Sequence, residues 1–366
     1  MRFELSEEQN ILKNSARDFC AAEFPPAEVR KLMEAATPYS PQAWAKMAEQ
    51  GWTGILFPEE YGGQAMSLVE MAVILEEMGR TLAPTPFIST ILLAGSLLAA
   101  GNDEQKRRYL MPICRGEALA TLAMLEADAN WDPGTVETTV IGDALSGRKL
   151  FVTDVADVRF LLVAAEVHGE LAVVVVDPRQ PGVTVTPLPA IDGTRRLSDV
   201  VFQNAKVMDV LTSGAAARAA LARALDVATV GLVAEMTGGM QWILDTTVQY
   251  AKTRRQFGRP IGQFQAVQAH CADMFLTTES SRSAAYYAAW ALQENMPDAQ
   301  LAVSTAKSYA SEGYRLVGNS GIQVHGGMGF TWENDLHLYY RRAKVSEVLF
   351  GDAIFHRERI ARLWMD

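Results

Sequence analysis

VQYAKTRRQFGRPIGQFQAVQ, Val248–Gln268, is the stretch whose reading decides the fold. An apolar-periodic helix runs into it, and Arg254, Arg255 and Arg259 fall within six residues. Gly258-Arg259-Pro260-Ile261-Gly262 then breaks the helix. Proline has no N–H to donate and glycine tolerates positive φ, so a turn is specified, and a second long helix begins near Gln263. Cations at the C-terminal end of a helix complement its dipole. These letters alone therefore describe a surface helix end and an anion site equally well.

Downstream and upstream, the spacing of apolar residues sets the architecture. Leu221, Leu225, Leu232, Met236, Met240, Ile243 and Val248 repeat at three-to-four spacing, which predicts a helix from Ala215. Further helices are expected over about Phe264–Glu294, Pro297–Asn319 and Leu338–Leu363, giving an antiparallel four-helix bundle across residues 209–366. Gly238-Gly239 within the first of these costs about 1 kcal/mol each against alanine; close helix packing or close ligand approach would explain keeping them, and packing is the expected reason. Residues 118–208 read differently. ALATLAML, TTVIGDALSG, RKLFVTDV, RFLLVAAEV, GELAVVVVDP, VTVTPLP and SDVVFQNAKV are rich in β-branched residues and broken by Gly, Asp and Pro, so a β-domain is expected. No helix of useful length separates these strands and no G-x-G-x-x-G opens a helix, which argues against a parallel dinucleotide fold. Residues 1–117 are helical in pattern. Ser6 with Gln9 forms a capping box, Ser40 precedes Pro41 at a helix start, and Ser67 opens the run to Gly79. The fold class is α+β.

Composition narrows the function. The 366 residues are 49% hydrophobic with a net charge of −10, which argues against a nucleic-acid partner. No apolar stretch approaches the roughly 18–20 residues of a membrane span; Leu92–Ala100 is too short. The polar start MRFELSEEQN is not a signal peptide. Cys20, Cys114 and Cys271 show no metal spacing, no metal is expected, and reduced thiols in a cytoplasmic protein fit them. His325 and His337 lack a metal-spaced partner and read as structural. GIQVHGGMGF, Gly321–Phe330, places Gly326, Gly327 and Gly329 within four residues. Such a segment lets backbone approach a bulky ligand or simply connects two helices.

Y-A-x-x-R-x-Q-F-G-x-P-I-x-x-F-Q-x-x-Q resembles the signature of the acyl-CoA dehydrogenase family of flavoproteins, and GWTGILFPEEYGG, LEEMGR, QVHGGMGF and the closing IARLW extend the resemblance over nearly the whole chain. It implies a helical N-terminal domain, a middle β-domain and a C-terminal four-helix bundle, with FAD as cofactor. The activity implied is α,β-dehydrogenation of an acyl-CoA, with electrons passed to an electron-transfer flavoprotein. By that resemblance Gln323, Val324, His325, Gly326 and Gly327 touch the adenosine half of FAD. Arg254 and Gln265 reach the pyrophosphate, and Phe257 lies in the same cofactor-binding turn. These contacts come from a neighbouring subunit in the family, which implies a homo- or hetero-oligomer. Arginine's planar donor fork suits a doubly charged pyrophosphate. In KLFVTDV, Phe151 is the residue that stacks on the flavin ring, and Thr153 places its hydroxyl near flavin N5.

The chain also departs from the family. The T/S-E-P-x-A-G-S-D loop is AMLEADANWD here: Glu126 is kept, Leu125 replaces the hydroxyl residue, and the Gly-Ser pair is missing. Removing the weakly acidic α-proton needs a positioned carboxylate. One family position for it is Phe350 in this chain, and the other, twenty-two residues before Tyr250, is Ala228. Asp226 matches a residue at the thioester end of CoA, with Thr229 where an arginine companion is usual. It is a candidate substrate contact or stand-in base, against an ordinary solvated acid at a helix start. Two residues along a helix turn the side chain by roughly 200°, so it does not simply replace Ala228. Glu347 and Asp352 read as solvated helix-face acids. Two other functions stay open: a non-catalytic partner subunit lending Arg254 and the Gln323–Gly327 segment to a shared FAD, as in bacterial pairs acting on steroid or fatty side-chain thioesters, and a flavin monooxygenase or oxidase on the same scaffold.

Overall fold

The computed structural model describes residues 4–132, 134 and 136–365; Met1–Phe3, at the head of the polar N-terminal stretch, lie outside these. Two compact units are present. One comprises the described residues up to Lys31, Leu68–Ala83 and those from Thr229 onward; the other comprises Leu32–Ser67 and Pro84–Ala228.

The second unit carries the sheet. Its helical part includes α3 (Pro41–Glu49), capped by Ser40 with Pro41 in the first turn, as expected. Widened π turns at Ile88–Gly95 run into α5 (Ser96–Leu98). Then come α6 (Asp103–Gln105), a further wide segment at Lys106–Leu110, and α7 (Met111–Cys114). Eight strands follow: β1 (Ala120–Ala123), β2 (Thr139–Ile141), β3 (Ala144–Thr153), β4 (Phe160–Val167), β5 (Glu170–Val176), β6 (Val183–Leu188), β7 (Leu197–Lys206) and β8 (Asp209–Ser213). Their order is β6-β7-β3-β2-β4-β5-β8. β1 and β2 lie end to end along one side of β4, both parallel to it, and the remaining pairs are antiparallel. Leu161–Ala165 and Ala172–Val176 are fully buried, which explains why they read as continuous apolar runs rather than alternating ones. β8 was not expected from the sequence, and TTVIGDALSG divides at Gly142-Asp143, so that ALSG joins RKLFVT in one strand.

The first unit is helical. α1 (Glu7–Glu23) starts at the expected Ser6–Gln9 capping box. α2 (Pro26–Glu34), which straddles the division between units, was missed because Pro25-Pro26 reads as a stop; proline at the first helical position instead starts a helix. α4 (Leu68–Arg80) packs on α8 (Gly214–Thr253), whose residues from Thr229 belong to this unit. α9 (Gln265–Gln293) and α10 (Ala299–His325) are long, and α10 runs past the expected end at Asn319 to take in Gln323–His325. The last expected helix is two, α11 (Leu336–Val348) and α12 (Ala353–Met365), separated at Leu349–Asp352.

Close approach of α4, α8 and α10 explains the glycines. A Cβ on Gly79 would overlap the Glu235 carbonyl, one on Gly238 the Glu76 carbonyl, and one on Gly239 the Tyr314 hydroxyl. Buried ion pairs tie two further helices to these: Arg342 of α11 with Glu235 of α8, and Arg282 of α9 with Glu76 of α4 at 3.1 Å, where Tyr286 of α9 also donates to Glu76 at 2.8 Å. Gly238→Ala therefore meets backbone, which cannot give way, and is expected to cost about 3 kcal/mol. Gly327→Ala, whose Cβ faces open space, is expected to be near neutral. Chemical denaturation of the two variants checks this; equal stabilities would contradict the packing.

Candidate functional site

The decisive stretch forms one end of the helical unit. α8 ends at Thr253, and a two-residue hairpin follows, β9 (Arg255–Gln256) with β10 (Arg259–Pro260), turning through Phe257 and Gly258 at φ 53° and 80°. The Ile261 N–H donates to the Arg254 carbonyl at 2.8 Å, folding the chain back before α9 begins at Gln265. The three arginines are not equivalent. Arg255 donates to the Gly258 carbonyl at 3.1 Å, and Arg259 lies over the Phe264 ring at 4.2 Å. The exposed Arg254 guanidinium has no hydrogen-bond or ion-pair partner among the described residues. Phe257 is 90% exposed and Gln265 is exposed. Among the described residues no side chain caps the N-terminus of α9; the Val267 N–H donates to the Phe264 carbonyl at 3.1 Å, while the N–H groups of Gln265 and Ala266 and the positive end of the helix dipole stay available beside this turn.

The second glycine-rich segment reaches the same end. Tyr250 stacks on His325 with ring centroids 4.2 Å apart and planes at 21°, which brings the last turn of α8 against the last turn of α10. The buried His325 ring bonds through Nδ1 to the Gly321 carbonyl at 2.9 Å; burial pushes its pKa down, so the ring is neutral at pH 7 and Nδ1 is the donor. Gln323 is exposed and Val324 half-buried on this turn. The glycines divide by role. Gly326 takes φ 62° to end α10 and spends its own N–H on that cap. Gly329 packs on Ile322, and Gly327 borders open space. Arg254 and Gln323–Gly327 thus lie at the two helix ends that the stacked rings bring together, with Phe257 and Gln265 further along the turn that follows Arg254. His337 is structural, its ring stacked on Trp332 at 5.1 Å.

The flavin-ring candidates lie in the sheet unit. The pairing of β3 with β7 slips between Lys149 and Val152, a β-bulge, and Phe151 sits in it at φ 53° with its side chain 45% exposed. A left-handed aromatic residue is strained, and such outliers concentrate at functional sites. Thr153 follows, its hydroxyl 3.4 Å from that of Thr121 on β1. Glu126 does not face solvent. It accepts from Lys149 Nζ at 2.7 Å, from the Glu137 N–H at 2.6 Å, and from the Thr138 N–H and hydroxyl at 2.9 and 2.7 Å. Lys149, fully buried, was missed by sequence reasoning; a lysine inside the apolar pattern of β3 was the available signal.

The acid positions resolve as follows. Ala228 is fully buried. Phe350 is 4% exposed and sits between α11 and α12 at φ 59°. Asp226 is 2% exposed, well inside α8, so it is not a solvated acid at a helix start. Glu347 pairs with Lys344 at 2.8 Å and Arg315 at 3.5 Å, and Asp352 caps α12 through the Phe355 N–H at 2.8 Å. Both are structural rather than merely solvated.

With this geometry in place, comparison with known proteins settles the family. Residues 6–117 match the acyl-CoA dehydrogenase N-terminal domain and residues 217–365 the acyl-CoA dehydrogenase C-terminal domain. The probable acyl-CoA dehydrogenase YngJ of Bacillus subtilis (strain 168) is 30% identical over 380 residues, covering 99% of each chain. Among solved structures, the glutaryl-coenzyme A dehydrogenase glutaryl-CoA complex superposes with a TM-score of 0.93 at 27% identity, covering 100% of this chain and 97% of that one. The ChsE4-ChsE5 complex from Mycobacterium tuberculosis gives 0.89 at 27% identity, covering 100% and 99%. The α+β fold and these relatives define an oxidoreductase of the acyl-CoA dehydrogenase type. The chain belongs to the acyl-CoA dehydrogenase family.

Burial alone would raise the Glu126 carboxyl, but the bonds from Lys149, the Glu137 N–H and Thr138 hold it below the usual carboxylate range. This contribution is full above the unfolded glutamate value of about 4.3 and is lost as pH falls through the lower folded value. Lys149→Met leaves a buried carboxylate without its cation. It is expected to destabilise by about 3–5 kcal/mol at pH 7 and by much less near pH 4, where Glu126 takes up a proton. Urea denaturation at both pH values checks this; a pH-independent loss would contradict it.

Proposed function

We propose that this chain is an FAD-dependent oxidoreductase acting on acyl-CoA thioesters by α,β-dehydrogenation, with electrons leaving to an electron-transfer flavoprotein. The observation that carries the reading is the unpartnered Arg254 guanidinium beside the uncapped start of α9, with the Gln323–Gly327 turn held alongside by the Tyr250–His325 stack. A pyrophosphate fits that cationic end. Arg254 and Gln265 hold it, Phe257 borders it, and Gln323–Gly327 meet the adenosine half, for a flavin shared with a neighbouring subunit. In the sheet unit, Phe151 in its bulge offers an exposed ring to the isoalloxazine, and Thr153 a hydroxyl to its N5 edge. When bound, FAD supplies the hydride acceptor. The chain's own residues bind and orient the cofactor, with Asp226 as the candidate for the thioester end. The division into residues 1–117, 118–208 and 209–366 is our proposal for the sequence domains. Three free cysteines, two of them buried, support a cytoplasmic location.

A second reading has its own support. Phe350 and Ala228 leave no carboxylate at either position where the family resemblance expects the proton acceptor, and one of the matching structures is a complex of two differently named chains. On this reading the chain is the partner subunit of a heteromeric acyl-CoA dehydrogenase, lending its nucleotide-binding end to the other subunit's flavin.

The visible spectrum of the protein purified alone separates the two. Bound flavin bleached by an acyl-CoA supports the first reading; a colourless protein that gains flavin only with a base-bearing relative supports the second. Arg254→Ala is expected to lower flavin retention at least tenfold, as loss of a charge-assisted fork to phosphate implies, and Arg259→Ala to leave it nearly unchanged. Equal retention would remove Arg254 from the site.

A further inference from the structure

The connection between α11 and α12 is short, buried and strained. Phe350 takes φ 59° and Gly351 φ 98°, and Phe350 is only 4% exposed. Glycine adopts such a conformation freely, whereas phenylalanine does so only where its surroundings enforce it. Two buried side chains do the enforcing. Lys307 of α10, fully buried, donates to the Ser311 hydroxyl at 2.8 Å, to the Glu347 carbonyl at 3.0 Å and to the Gly351 carbonyl at 2.8 Å. Burial pushes Lys307 down to about 7; in its ammonium form the three N–H bonds and these three acceptors match one for one. Two of the acceptors lie on either side of Phe350, so the connection is tied at both ends. His356 of α12, 1% exposed, bonds through Nε2 to the Phe350 carbonyl at 3.0 Å. Burial, reinforced by the charge of Lys307, pushes His356 down to about 3, so the ring is neutral and Nε2 carries the proton that it donates. Charged groups nearby have other duties: Glu347 pairs with Lys344 and Arg315, and Asp352 caps α12.

We propose that Lys307, with His356, is a positioning residue: together they clamp the carbonyls of residues 347, 350 and 351 and so fix the direction in which the side chain at position 350 points. The clamp acts on the backbone and is indifferent to which side chain stands there. Its functional meaning rests on the acyl-CoA dehydrogenase reading, under which position 350 is the place of the proton acceptor. On that reading the socket is intact although its occupant is a phenyl ring. A carboxylate installed there takes the C2 proton of a bound thioester, leaves an enolate, and returns a solvent proton to C2, with no change of oxidation state.

Two measurements test this. In Lys307→Met, amide hydrogen exchange followed by mass spectrometry is expected to accelerate at least tenfold at Leu349–Asp352, with the β4–β5 peptides unchanged. If that variant does not fold, Ser311→Ala, which removes one of the three acceptors, is expected to accelerate the same amides two- to threefold. Unchanged protection overturns the clamp. For the chemical half, Phe350→Glu is expected to exchange the C2 protons of butyryl-CoA with D2O at least a hundredfold faster than the parent, read by NMR. Adding Lys307→Met is expected to lose at least tenfold of that gain. Exchange that is equal with and without Lys307 overturns the positioning role. No exchange in a Phe350→Glu protein whose flavin spectrum still responds to butyryl-CoA overturns the socket. A parent protein that binds no flavin alone or beside a relative tells instead against the functional reading, and leaves the amide measurement to decide the clamp.

Discussion

The stack of Tyr250 on His325 holds the proposed nucleotide-binding end together. Without it, the close of α8 and the close of α10 are two separate helix ends, one bearing a spare arginine and the other a pair of open glycines. With the rings 4.2 Å apart, Arg254 follows one member of the stack by a single turn and Gly326 follows the other directly. The bond to the Gly321 carbonyl fixes the ring, and burial keeps it neutral. A histidine that reads as merely structural thus sets the geometry of the site.

The scaffold is that of the family, and Phe350 and Ala228 stand at the two positions where the resemblance implies a carboxylate. Phe350 and Ala228 are both buried. Glu347 is committed to two cations, Asp352 to a helix cap and, in the sheet unit, Glu126 to Lys149 and three donors from Glu137 and Thr138. The proposed flavin contacts include the strained backbone of Phe151. Phe350 and Ala228 at those positions suit the proposed partner-subunit role as well as that of an independent catalyst.

Much of this was legible in the sequence, for identifiable reasons. The Ser6–Gln9 capping box and Ser40-Pro41 are local signals and predicted their helices directly. Gly238-Gly239 pointed to close packing or close ligand approach, and the structure shows close packing against Glu76 and Tyr314. What could not be read depended on distant contacts. The break at Leu349–Asp352 was hidden because VSEVLFGDAIF keeps helical periodicity, and the fold interrupts it by means of a lysine more than forty residues earlier. The extension of α10 through His325 depends on the ring of Tyr250 from another helix. The role of Lys149 required knowing that Glu126, on another segment, lies 2.7 Å away. Within the decisive stretch, three arginines looked alike; only the hairpin geometry separates Arg254 from its neighbours.

The central claim is that Arg254 and the Gln323–Gly327 turn grip the nucleotide half of an FAD that belongs to an adjacent subunit. A crystal or cryo-electron-microscopy structure of the flavin-loaded assembly tests it most directly. The account predicts the pyrophosphate against the Arg254 guanidinium and the start of α9, with the flavin ring reaching Phe151 of the neighbouring subunit or the equivalent residue of a partner chain. A flavin held wholly within one protomer, with Arg254 and Gly327 facing bulk solvent, would contradict it.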